Sequence, residues 1–115
     1  MRFDRFEDII VWQEANKLII EIYKKVQTGR DYSFNDQIRR AAISIANNIA
    51  EGFERQGNKE FKKFLYIAKG SCAEVRSMLY TAKIFKYVSD EDFKMISEKC
   101  IYISRMLSVL IKKLS

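Results

Sequence analysis

No proline occurs anywhere in this chain of 115 residues, and only four glycines do. Proline lacks a backbone donor and its ring clashes with the preceding helical turn, so it breaks helix interiors. Its absence, combined with apolar side chains recurring three and four apart, confines the chain to long helices packed on one another. No strand-like alternation competes with that pattern. The predicted fold is all-α, an antiparallel up-down four-helix bundle, with residues 1–115 forming a single domain.

The spacing predicts four helices. The first spans about 8–27, with Trp12, Ala15, Ile19, Ile22 and Val26 facing inward. The second spans about 35–55, capped by Ser33 or Asn35, with Ile38, Ala42, Ile45, Ile49 and Phe53 inward. Gly52 offers a close helix contact and Gly57 a stop. The third spans about 59–86 behind Asn58, burying Phe61, Phe64, Leu65, Ala68, Cys72, Val75, Leu79 and Ala82. The fourth spans about 90–114. Its start is marked by Ser89-Asp90-Glu91-Asp92, where acids suit the helix dipole. Phe93, Ile96, Cys100, Ile103, Leu107, Leu110 and Leu114 then recur to its end.

With 48% hydrophobic residues the chain can offset the entropy of ordering, so disorder is excluded. No apolar run reaches membrane-spanning length, and the first residues lack the apolar core of a secretory signal. A cytoplasmic location is the expectation. Cys72 and Cys100 sit on apolar stripes and read as small buried hydrophobes. Histidine is absent, which removes the commonest general base and metal ligand near neutral pH. No nucleophile elbow, phosphate-binding glycine loop or metal-ligand cluster is present, so no catalytic residue, metal, cofactor or small-molecule substrate is expected.

The charge is one-sided. Residues 1–57 hold nine bases and nine acids, whereas 58–115 hold twelve bases and six acids. On the third helix Lys62, Lys69, Arg76 and Lys83 recur in heptads and form one column, with Tyr66, Tyr80 and Tyr87 beside it. Cations neutralise phosphates, and exposed rings stack on unpaired bases. The same residues also suit a solvated flank of a bundle, with stems on the core and charges in water. On the second helix Gln37, Arg40, Ser44, Asn47, Asn48 and Glu51 share one polar side, which is either solvated or a contact that fixes register. On the fourth, Met95, Tyr102, Met106 and Val109 form an apolar line beside the core stripe. Either the core face is wide or these residues meet another subunit. Ile9, Ile20 and Ile43 also fall outside their core stripes and point to a subunit contact.

Several stretches resemble a known family. Gln37-Ile38-Arg39-Arg40-Ala41-Ala42, Ser44-Ile45, Asn48-Ile49-Ala50-Glu51-Gly52-Phe53, Lys59-Glu60-Phe61 and Phe64-Leu65-Tyr66-Ile67-Ala68-Lys69-Gly70-Ser71 carry the likeness, with Val11-Trp12-Gln13 and Ile103-Ser104-Arg105-Met106-Leu107. They resemble the bacterial four-helix bundle proteins encoded in intervening sequences of 23S ribosomal RNA genes. That family is related to the accessory protein of diversity-generating retroelements, a basic pentameric barrel that works with a reverse transcriptase and nucleic acid. The resemblance implies a cytoplasmic bundle assembled into a ring, with a homopentamer suggested by relatives, and it implies no catalytic residues. The ribosomal-RNA link is one of gene location. Ala46 stands where the family usually has proline, so the second helix is expected to run straighter.

The expectation is a non-enzymatic homo-oligomer that binds RNA or DNA through Lys62, Tyr66, Lys69, Arg76, Tyr80 and Lys83. Asn47, Asn48, Glu51, Met95, Tyr102, Met106 and Val109 are the candidates for its subunit contacts. The alternative is a scaffold docking an acidic protein partner on the same basic face.

Overall fold

A computed structural model describes residues 3–115. A 3-10 turn, Phe6–Asp8, leads into four helices: α1 (Ile10–Lys25), α2 (Tyr32–Glu54), α3 (Asn58–Ile84) and α4 (Asp90–Lys113). Each helix packs on the two that flank it, α1 on α2, α2 on α3, α3 on α4 and α4 back on α1. Short connections reverse the chain each time, giving a bundle of 43 × 23 × 19 Å. Leu18, Ile22, Ile38, Ile45, Ile49, Leu65, Leu79, Ile96, Ile103 and Leu107 lie fully buried along its axis. Each such side chain contributes about 1.5–3 kcal/mol relative to exposure.

The helix ends depart from the sequence expectation for local reasons. Neither Ser33 nor Asn35 caps α2; the Asp31 carboxylate does, accepting from Phe34 N at 3.1 Å. Asn58 does not cap α3 either, because Gly57 occupies that position at φ 85. The Asn58 amide instead donates to the Leu114 carbonyl at 3.3 Å. α3 ends without a glycine. Lys86 takes the left-handed conformation at φ 61 and Tyr87 N bonds back to Ala82 O at 2.8 Å, a Schellman turn. At α4, Ser89 Oγ accepts from Asp92 N at 3.0 Å. α2 runs unbroken through Ala46.

The inner face of α1 is rotated from the predicted one. Val11 and Leu18 are buried with Ala15, Ile22 and Val26, while Trp12 and Ile19 are half-buried on its edge. Ile9 is 2% exposed and belongs to the core, which corrects its assignment to a subunit contact. Ile20 is exposed and Ile43 half-buried. Gly52 sits where α2 and α3 come closest: a Cβ there would stand 2.7 Å from Phe64 Cβ.

Cys72 and Cys100 are both buried. Burial pushes each thiol up to about 12, outweighing the nearby Lys69 charge at Cys72 and the Arg76 charge at Cys100. Thiolate is the reactive form, so a thiol reagent at about pH 8 labels these residues only as fast as the bundle opens. Folded thiols stay protonated while unfolded ones ionise above pH 9, so stability is lost as pH rises from 9 towards 12. Denaturant melts across that range, compared with a Cys72→Ala/Cys100→Ala variant, check the expectation.

Candidate nucleic-acid interface

The cation column lies along the seam between α3 and α4. Lys62 Nζ donates to Ser115 Oγ at 3.3 Å and Lys69 Nζ to Ser108 Oγ at 2.6 Å. Seven residues along α3 thus match seven residues back along α4. Continuing this antiparallel register sets Arg76 opposite Ile101 and Lys83 opposite Lys94. The Lys83 ammonium rests 4.7 Å from the centre of the Phe93 ring, as that register requires. Arg76 and Lys83 hold no hydrogen bond or ion pair among the described residues.

No acidic side chain lines the cleft at Lys69, but Asp90 and Asp92 line the pocket that holds Lys83 and Tyr80. On the overlapping lengths of the two helices the acids are Glu74 and Glu98. On a helical wheel Glu74 lies about 140° round α3 from Lys69, and Glu98 about 80° round α4 from Ser108. Among the described residues the ion pairs are Arg5–Asp8, Lys17–Glu14, Lys25–Asp92 and Arg55–Glu51, none of them made by a cation of the column. The cleft at Lys69 holds Lys112 and no acidic side chain, whereas Lys83 shares its pocket with Asp90 and Asp92, so the positive potential is concentrated at the Lys69 end of the column.

The tyrosines divide. Tyr66 is 60% exposed and has no ring or hydrogen-bond partner among the described residues. Tyr80 is 56% exposed, with its ring edge-on to Phe93 at 5.0 Å. Tyr87 leaves the ladder altogether. Its hydroxyl donates to Asp31 Oδ2 at 2.6 Å, and its carbonyl accepts from Gln27 N at 2.8 Å. The Asp31 hydrogen bond, followed by burial and the Asp31 charge, raises its hydroxyl above the ordinary tyrosine value. The residue joins two connections instead of offering a face.

The serines of α4 were missed from sequence. Ser97, Ser104, Ser108 and Ser115 occupy the flank of α4 that meets α3. Small hydroxyl residues give no hydrophobic period, so only their shared side on the wheel marks them. With Lys112 and Ile111, Ser108 and Ser115 complete a cleft of about 290 Å³ beside Tyr66 and Lys69.

The other predicted surfaces are separate from this seam. The polar side of α2 splits in two. Ser44 Oγ meets Ser71 Oγ at 3.0 Å across to α3, and Asn48 Nδ2 donates to Ser44 O at 2.8 Å and to Ser44 Oγ at 2.9 Å. Asn47 and Glu51 face outward, and Glu51 accepts from Arg55 at 2.8 Å. Met95, Tyr102 and Val109 are exposed at 37%, 53% and 54%, whereas Met106 packs partly on the core. Tyr102, Met106 and Val109 border an apolar groove of about 530 Å³ with Phe3 and Ile10.

These features define an all-helical bundle with a basic groove between two of its helices. The chain belongs to the family described as 23S rRNA-intervening sequence protein, whose model matches residues 7–109. Among solved structures it is similar to a protein with unknown function from the S23 ribosomal protein family of Bacteroides thetaiotaomicron. The two share 24% sequence identity with a TM-score of 0.81, over 89% of this chain and 98% of that one. No curated protein matches the sequence. The family has no assigned function. Among the described residues no helix is long and apolar enough to cross a membrane.

Proposed function

We propose that this protein is a non-enzymatic homo-oligomer that binds nucleic acid along the α3–α4 seam. The observation that carries the reading is the seam's column of Lys62, Lys69, Arg76 and Lys83, none of them in an ion pair among the described residues, with no acidic side chain lining the cleft at Lys69. A phosphate backbone supplies the missing counter-charge and releases its own condensed cations on binding. The apolar line of Met95, Tyr102 and Val109, with the groove beside Ile10, is the face offered to a second copy. Assembly repeats the seam on each subunit, so weak contacts add through avidity.

One preparation tests both parts. The protein is purified at low salt, its mass is read by light scattering, and co-purified ultraviolet-absorbing material is treated with nuclease. A multimer carrying nuclease-sensitive material is expected. Its affinity for added nucleic acid should fall with a log–log salt slope of about 3–4, from four phosphate contacts per subunit. A monomer at micromolar concentration removes the oligomer. Nuclease-resistant protein in place of nucleic acid assigns the seam to an acidic protein partner.

A further inference from the structure

The chemistry of the seam distinguishes between paired and unpaired strands. Lys62 and Lys69 do not project outward. Their ammonium groups lie across to α4 on serine hydroxyls, and both side chains are half-buried. Lys69 lines a cleft with Tyr66, Ser108, Lys112 and Ser115, and Lys62 reaches that cleft's Ser115 hydroxyl. A duplex presents a broad, convex backbone with its bases stacked inside, and meets the outer tips of long cations. A single strand is thin enough to lay a phosphate on a cleft floor, and its bases are free to turn outward.

Tyr66 supplies the second half of the argument. Its ring is exposed on the wall of this cleft and unpartnered among the described residues, about one turn of α3 from Lys62 on one side and from Lys69 on the other. Such a ring stacks on any unpaired base, whatever its identity. Tyr80 repeats the motif about 21 Å further along α3, between Arg76 and Lys83. A ring thus stands in two of the column's three intervals, with Ala73 in the third.

We propose that the seam takes single-stranded nucleic acid in preference to duplex, with phosphates on the Lys62–Lys83 column and an unpaired base stacked on Tyr66. This rests on the nucleic-acid reading above.

The test uses a fluorescein-labelled strand of about twelve nucleotides, alone and annealed to its complement, titrated with the full chain by anisotropy at about 50 mM salt. The strand is expected to bind at least ~10-fold more tightly than the duplex. Tyr66→Ala is expected to weaken strand binding by about 5- to 100-fold, while Tyr66→Phe restores it. Circular dichroism should be unchanged, since the residue is exposed. Equal affinity for strand and duplex, or no effect of Tyr66→Ala, overturns the single-strand assignment and leaves nucleic-acid binding standing. Failure to bind either probe removes both. Tighter binding of polyglutamate than of either probe transfers the seam to an acidic polypeptide and also overturns the assignment.

Discussion

Replacing Lys62, Lys69, Arg76 and Lys83 together by glutamine should lower nucleic-acid affinity at least about 100-fold at low salt. The salt slope should flatten by about 3–4, because each cation removed is one fewer phosphate neutralised. The bundle itself should remain folded. All four side chains lie outside the core, and glutamine keeps part of the stem that covers the seam. What is lost structurally is the pair of hydrogen bonds to Ser115 and Ser108, each contributing about 0.5–1.5 kcal/mol at most. Anisotropy titrations at several salt concentrations, with thermal melts on the same samples, separate the two effects. A quadruple variant that melts normally and binds unchanged would exclude the seam as the site.

The second large effect concerns two glycines that look alike in sequence and should respond with opposite sign. Alanine normally favours a helix interior over glycine by about 1 kcal/mol. At Gly70 the new methyl meets nothing within 4 Å, so Gly70→Ala should stabilise by about 0.5–1 kcal/mol. At Gly52 the methyl would stand 2.7 Å from Phe64 Cβ and 3.3 Å from the Phe61 carbonyl oxygen. A Cβ and a carbonyl cannot swing away as a side-chain tip can, so α3 must move off α2. Overpacking of this kind costs about 1–3 kcal/mol, which outweighs the propensity gain. Gly52→Ala is therefore expected to lower the denaturation midpoint, and Gly70→Ala to raise it. A stabilised Gly52→Ala would contradict the close packing of α2 on α3.

These two glycines also show what was legible in the chain. The core stripes of α3 and α4 follow from spacing alone, because burial on one side of a helix imposes its period. α1 had its inner face placed too far round the helical wheel. Its apolar face is wide, and the large Trp12 drew the stripe towards itself when Val11 and Leu18 are the buried pair. The cap of α2 was missed because Asp31 serves two partners, Phe34 N and the Tyr87 hydroxyl, and the second is distant in sequence. The Lys/Arg column was legible as a column. Its serine partners were not, since Lys69 and Ser108 are brought together only by the antiparallel register of two helices. Tyr87 could not be separated from Tyr66 and Tyr80 by spacing, because the turn at Lys86 decides where it goes. Several residues that carry the family resemblance, namely Ser44, Asn48, Gly52 and Ser71, lie where α2 packs on α3. They account for the fold more than for the basic groove.

The bond between Asp31 and Tyr87 gives the bundle one latched end and one that yields. Beside it the α1–α2 and α3–α4 connections are tied directly to each other through Gln27 and Tyr87. At the opposite end the last turn of α4 is held by packing and by side-chain bonds from Asn58 and Lys62. These ties predict local opening graded along the 43 Å axis, easiest where α4 ends and hardest at the latch, an order that amide hydrogen exchange would read. The cation column runs down that gradient, with Lys83 near the latch and Lys62 near the fraying turn. A ligand spanning the column would splint the yielding end to the fixed one, so occupancy would be felt as stiffness in the closing turns of α4.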